Sequence, residues 1–167
     1  MGLNTQKMIR RSRRFVRRER GAQIVELAFV LPFLFVLFAM VTEVGRYFYV
    51  YRTLSQATVV GTRFLSTTPL SSGVYKDADK TSAKNLVLCG NAAGCGGTGQ
   101  PAAIISSLTL SHIPDPVVTG GGPNKTVTMS ISGYTYQPVF NLGSLMHDTS
   151  FSLAVEMKPS TTMRYMP

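Results

Sequence analysis

A long apolar segment near the N-terminus is the feature that most constrains how this chain can fold. No charged residue lies between Leu27 and Thr42, and apolar character extends from Ile24 to Val44 with few interruptions. As a helix, residues 22–44 would measure about 35 Å at a rise of about 1.5 Å per residue. The hydrocarbon core of a bilayer is about 30 Å thick. The sequence therefore predicts a single transmembrane segment, with Leu27 to Val44 as its lipid-embedded part.

The positive charge of the chain is concentrated in front of this segment. Residues 1–20 carry eight basic side chains and one acidic one, whereas the rest carries nine basic and seven acidic. The positive-inside rule then predicts a cytoplasmic N-terminus and an exported C-terminal body. The topology signal is assigned to Arg10, Arg11, Arg13, Arg14, Arg17, Arg18 and Arg20. A basic arm that binds nucleic acid is the alternative, but the adjoining apolar segment favours the membrane, and no nucleic-acid partner is expected.

A cleaved secretory signal peptide shares the basic and apolar parts of this pattern. The apolar segment is longer than the usual stretch of about 7–15 residues in such signals. In addition, the residues from Thr42 to Arg46 form a poor small-x-small cleavage site. An uncleaved signal anchor stays open as a rival interpretation.

The predicted helix continues beyond the membrane. Aromatic residues typical of a membrane interface follow the span: Tyr47, Phe48, Tyr49 and Tyr51. Apolar and small residues then recur at three- and four-residue steps, which predicts an amphipathic helix; they are Val44, Tyr47, Phe48, Tyr51, Leu54, Thr58, Gly61 and Leu65. Pro32 should bend the helix, and Pro69 lies beyond its end. We predict one helix over residues 22–66.

The remaining residues, 67–167, predict a small exported α+β domain that uses part of the long helix to complete its core. A short helix is expected over residues 76–88. Alternating apolar and polar residues predict antiparallel strands, and the candidates are 104–110, 126–132, 151–158 and a short edge strand at 162–166. The chain thus divides into a basic leader (1–21), the long helix (22–66) and the exported domain (67–167).

Cys89 and Cys95 are separated by five residues in a glycine-rich loop. In an oxidising compartment we expect them to form a disulfide, worth about 2 kcal/mol on the loop-entropy model; two free thiols are the cytosolic alternative. The two histidines, His112 and His147, are not at ligand spacing from these cysteines, so no metal site is predicted. No nucleophile, phosphate-loop or dinucleotide motif is present, and we expect neither an enzyme nor a cofactor.

The order of motifs around the span carries a family resemblance. The sequence from Gly21 through Ala22 to Glu26, behind a basic leader, resembles the processing site of type IV pilin-like proteins. Together with Pro32 and the Glu-x-Gly-Arg-x-Phe stretch that starts at Glu43, it resembles the TadE-like family. These are minor pilins or pseudopilins of the tight-adherence (Tad/Flp) pilus and secretion system. The resemblance covers residues 17–66.

The resemblance implies a pilin-like lollipop, in which a membrane-spanning helix extends into a small antiparallel-sheet domain. It implies cleavage after Gly21 by a prepilin peptidase, which leaves a free amine on Ala22. It further implies that Glu26 pairs with the amine of a neighbouring subunit and sets the register of assembly. From the residues alone, Glu26 also suits a helix start, where the macrodipole favours acidic side chains.

The family also implies where the protein works and with what. The expected location is the bacterial inner membrane, with a cytoplasmic N-terminus and a periplasmic domain, and incorporation into the pilus is compatible with it. Expected partners are the lipid bilayer, prepilin peptidase, other pilin or pseudopilin subunits and inner-membrane pilus assembly proteins. The alternative is an uncleaved, single-pass accessory protein of the same system.

Overall fold

The structure is a computed structural model that describes residues 3–140 and 154–166. It has an α+β fold, as predicted, in which a long N-terminal helix precedes a small domain of antiparallel strands. The chain forms two compact units, Met1–Glu43 and Val44–Pro167. The second unit therefore contains the last part of the long helix as well as the residues predicted to form the exported domain.

The long helix, α1, spans Leu3–Thr67 and runs through Pro32. It ends one residue beyond the predicted end. Its beginning lies within the predicted leader, for which the sequence had suggested no secondary structure. From Gln23 onward it contains an 18-residue window with a mean hydropathy of 2.7, none of which is buried. The helix is therefore long and apolar enough to cross a membrane.

Among its described residues, the second unit adds one α-helix and five strands to the end of α1. Helix α2 spans Asp77–Cys89, and short 3-10 helices cover Leu110–His112 and Gly122–Asn124. The strands are β1 (Val117–Thr119), β2 (Thr126–Ser130), β3 (Tyr134–Thr135), β4 (Glu156–Met157) and β5 (Ser160–Arg164). One antiparallel sheet has the order β1-β2-β5, and the second pairs β3 with β4.

A single core joins α1, α2 and the central strand. Val127 and Met129 of β2 are at most 1 % exposed and pack with Val87 of α2 and with Leu54 and Leu65 of α1. The alternation predicted for residues 126–132 is confirmed, because its apolar side chains face this core. The prediction that the long helix contributes to the core of the body is confirmed as well.

Most element predictions in the body hold. The helix predicted at 76–88 is α2, and the short edge strand predicted at 162–166 corresponds to β5, which is an edge of the larger sheet. The strand predicted at 151–158 lies partly outside the described residues, and within them only β4 is present.

The strand predicted at 104–110 is wrong. The Ile104 amide donates to the Leu88 carbonyl at the end of α2 (2.8 Å), and the Leu108 amide donates to the Ile105 carbonyl (3.0 Å). The first bond ties the segment to the end of α2 and the second forms a turn before the first 3-10 helix, so the segment pairs with no strand among the described residues. Its apolar pattern reflects Leu108, which is buried in the core.

Candidate processing site and membrane segment

The predicted cleavage position lies inside α1. Gly21 is exposed, and a Cβ atom added there would meet nothing within 4 Å. The backbone of Ala22 continues the same helix, as does the backbone of the arginines assigned to the topology signal. The position thus combines free space around the backbone with the residue least favourable to a helix after proline, by about 1 kcal/mol relative to alanine.

Glu26 is an exposed acid on a helix surface that is otherwise apolar. Its neighbours Ile24 and Leu27 are 68 % and 57 % exposed, and Phe29 is 79 % exposed. Residues four apart lie on the same helix face, separated by about 6 Å along the axis. Glu26 and Ala22 stand in this relation, so α1 presents the carboxylate on the same side as the backbone that cleavage after Gly21 would turn into an amine.

The apolar segment from Leu27 to Val44 exposes its large side chains. Phe38 and Val41 are more than 70 % exposed, and most of the other large apolar residues of the segment are also exposed. A soluble monomer rarely exposes a contiguous apolar surface of this kind, which marks a membrane or protein contact. A long apolar N-terminal helix with this surface suggests a membrane anchor.

Glu43 differs from every other residue of the apolar segment because it is only 3 % exposed. The sequence identified this acid only as the first residue of a family-like motif. Hydropathy could not have marked it as buried, since a carboxylate next to an apolar run normally lies at a water-facing boundary. A buried carboxylate retained at this point is a functional candidate that sequence reasoning missed.

The two cysteines are bonded to each other at the end of α2, with an S–S distance of 2.09 Å. The helix ends at Gly90 in the left-handed conformation (φ 72°), which glycine adopts without steric cost. The side-chain Nδ2 of Asn85 donates to the Ala92 carbonyl (3.3 Å) and holds the loop between the two cysteines against α2. Among the described residues, no group of three His, Cys, Asp or Glu side chains could hold a metal ion.

The TadE-like protein family model matches residues 21–63. The match begins at Gly21, includes Glu26 and the apolar segment, and ends within α1. No curated protein and no solved structure matches the chain. The match supports involvement with the Tad pilus system. Residues 21–63 are thus the TadE-like segment of this chain, consistent with a TadE-like protein of the Tad pilus system.

Proposed function

We propose that this protein is a pseudopilin or minor pilin that a prepilin peptidase trims after Gly21, and that it supports assembly of the adhesive Tad/Flp pilus. The observation that carries the proposal is the family match, which begins at the residue where the cut is expected. The protein acts as a structural or priming subunit and catalyses no reaction of its own.

The local structure around Gly21 suits a peptidase. A protease must bring its catalytic groups close to the backbone of the bond it cuts, and no neighbouring atom obstructs this glycine. Since α1 is continuous here, the helix must open before cleavage. Glycine lowers the cost of that opening because it is less stable than alanine in a helix by about 1 kcal/mol.

Cleavage would change the charge of the chain more than its fold. Residues 1–21 carry a net charge of +7 out of +9 for the whole chain. Their removal leaves a product with little net charge and a new amine directly in front of the apolar segment. The segment from Leu27 to Val44 then holds the product in the inner membrane until it is assembled.

Glu26 is proposed as the residue that sets register between subunits. An ionised carboxylate costs about 2.5–3.5 kcal/mol at the centre of a membrane helix on insertion scales, and less near the boundary. The amine of Ala22 on a neighbouring subunit would offset this cost. The exposed position of Glu26 among apolar side chains supports a role for the carboxylate between molecules.

The proposed topology places residues 67–167 in the periplasm. The disulfide between Cys89 and Cys95 supports this, since such bonds persist in exported proteins and are rare in bacterial cytosol. Protease added to spheroplasts should digest the body and spare residues 1–20 of any uncleaved precursor. Digestion of the basic N-terminus in intact spheroplasts would contradict the orientation.

One observation favours the alternative, an uncleaved accessory protein of the same system. Helix α1 is unbroken from Leu3 across Gly21, so the cut site does not lie in an open segment. In this alternative the arginine-rich segment stays attached as a permanent cytoplasmic anchor. The protein would then hold its periplasmic domain beside the pilus base.

N-terminal sequencing of the membrane-extracted protein distinguishes the processed pseudopilin from the uncleaved accessory protein. A start at Ala22 supports processing, whereas a start at Met1 in cells with active prepilin peptidase leaves only the anchor. Gly21→Leu should block cleavage and retain the full length. Gly45→Leu is the matched control, because Gly45 lies in the same helix and also has nothing within 4 Å of its Cβ position. Loss of cleavage in both variants would indicate a general effect on the helix.

The pairing role of Glu26 is tested separately. Glu26→Gln keeps the size of the side chain and removes its charge, so cleavage and insertion should persist while incorporation with other pilin subunits is lost. Gln23→Ala, an exposed polar position three residues earlier, should retain incorporation. Cross-linking to neighbouring subunits provides the measurement, and full incorporation of Glu26→Gln would refute the pairing.

A further inference from the structure

The body contacts the second half of α1 over a defined length. At the first end, the rings of Tyr47 and Tyr136 meet edge to face with centroids 5.5 Å apart. At the other end, the Met166 amide donates to the Ser66 carbonyl (2.8 Å), and the Tyr75 hydroxyl donates to the Leu65 carbonyl (2.6 Å). The helix between Tyr47 and Ser66 is about 28 Å long. Tyr136 therefore lies at the Tyr47 end of this stretch of α1, and Tyr75 lies at the other end.

Three apolar residues of the body are exposed near Tyr136. Val139 is 74 % exposed, Phe140 is 38 % exposed and Val155 is 46 % exposed. The Tyr136 amide donates to the Val155 carbonyl (3.0 Å), so Val155 lies directly beside Tyr136. Val139 follows Tyr136 by three residues and cannot be more than about 11 Å from it. The hydrogen bond places Val155 beside Tyr136, and the chain keeps Val139 and Phe140 within four residues of it.

The helix adds exposed aromatic rings at the same level. Phe48 is 62 % exposed and Tyr49 is 73 % exposed. Tyrosine prefers the boundary between lipid and water, where its ring is in an apolar environment and its hydroxyl is hydrated. We name these five residues, Val139, Phe140, Val155, Phe48 and Tyr49, the proximal apolar patch.

We propose that the proximal apolar patch inserts into the interfacial layer of the bilayer, as a membrane contact in addition to the spanning helix. The inference rests on the proposed span. If the lipid-embedded part ends at Val44, Tyr47 lies about 4.5 Å further along α1. The interfacial layer is about 5–8 Å deep on each side of the hydrocarbon core. Because the chain connects the patch directly to the proposed span, lipid is the molecule that we expect to cover this patch.

Tryptophan fluorescence tests the contact in the full-length protein, which contains no tryptophan of its own. Val139→Trp is reconstituted in phosphatidylcholine vesicles with brominated acyl chains, which quench rings at the membrane. Phe140→Trp repeats the measurement at a second position of the patch. Val74→Trp is the matched control, since Val74 is 57 % exposed and precedes Tyr75 at the far end of the body. Phe38→Trp reports on the span itself.

The proposal expects a blue-shifted emission and loss of intensity in brominated vesicles for Val139→Trp and Phe140→Trp, with no loss for Val74→Trp. Phe38→Trp should lose the most intensity. If Phe38→Trp is quenched but both patch variants behave like Val74→Trp, the additional contact is wrong and the span is retained. If Phe38→Trp itself escapes quenching, the proposed span fails. A blue shift at Val139→Trp without quenching would assign the patch to a neighbouring protein and refute lipid contact.

Discussion

Replacing Gly61 with alanine should destabilise the protein, because this glycine of α1 lies directly against residues of α2 and β2. A Cβ atom at Gly61 would lie 2.5 Å from Cγ2 of Val87 and 2.9 Å from Sδ of Met129. It would also lie 3.2 Å from the carbonyl oxygen of Ala83. A Cβ atom essentially never approaches another heavy atom this closely, so either the neighbouring side chains or the two helices must move.

Two effects of opposite sign decide the size of the change. Alanine stabilises a helix relative to glycine by about 1 kcal/mol. Overpacking of a dense core costs about 1–3 kcal/mol. Val87 is fully buried and, as a β-branched residue in a helix, has one strongly preferred rotamer. The cost should therefore fall near 3 kcal/mol, and the net loss of stability should be about 2 kcal/mol.

Urea unfolding of the full-length protein in detergent, followed by the near-ultraviolet circular dichroism of its tyrosines, measures this change. Gly45→Ala is the control, because a Cβ there meets nothing within 4 Å; it should leave stability unchanged or raise it by up to about 1 kcal/mol. The double variant Gly61→Ala, Val87→Ala should lose less than the sum of the two single changes, since the clashing methyl group is gone. Equal or greater stability of Gly61→Ala relative to the unmodified protein would refute the close approach.

Three further predictions concern the body of the protein. Reducing its disulfide should lower the free energy of unfolding by about 2 kcal/mol, and Cys95→Ser should abolish the response to reductant in the same urea titration. Burial, with a smaller effect from Tyr165, raises the pKa of Tyr75 to about 12. The stability that Tyr75 contributes should therefore be complete below about pH 10 and be lost as the pH rises towards 12. Tyr75→Phe should cost about 1 kcal/mol at neutral pH, through the lost hydrogen bond to Leu65, and should weaken this alkaline dependence. The hydrogen bond from Lys84 lowers the pKa of Asp115. The stability that this exposed pair contributes, below about 1 kcal/mol, should be present at neutral pH and lost as the pH falls through the lowered pKa. Asp115→Asn should remove this loss of stability at acidic pH.

The sequence predicted the N-terminal half of the fold because one physical quantity determines it. An uninterrupted apolar stretch has few alternatives to a long helix, and α1 runs through Pro32 because a proline in a helix can bend it without ending it. Gly21 and Glu26 are candidates identified by sequence spacing rather than by tertiary contacts, and their roles stay predictions. The burial of Glu43 was not readable, because it depends on packing that hydropathy does not encode.

The strands of the body were predictable only where a strand is long enough to show an alternating pattern. Strand β2 alternates over five residues and was found, whereas β1 and β3 contain three and two residues and give no detectable period. The segment 104–110 failed for the opposite reason. Its apolar residues resemble a strand, but the Ile104 amide bonds to the end of α2 and the Leu108 amide closes a turn onto Ile105.

The second half of α1 shows where an apolar stripe is an incomplete guide to the packing face of a helix. The predicted face is confirmed at Leu54, Thr58 and Leu65, which are fully buried, whereas Tyr51 on the same stripe is 41 % exposed. Thr62, which the stripe does not include, is also fully buried. The Thr58 hydroxyl lies 2.9 Å from that of Thr161 on β5, and the Thr62 hydroxyl donates to the Thr58 carbonyl at 2.7 Å. These bonds remove the usual cost of burying hydroxyl groups. Small side chains, with Gly61 at the centre, permit the close approach of the neighbouring elements, so residue size and hydropathy together identify this face.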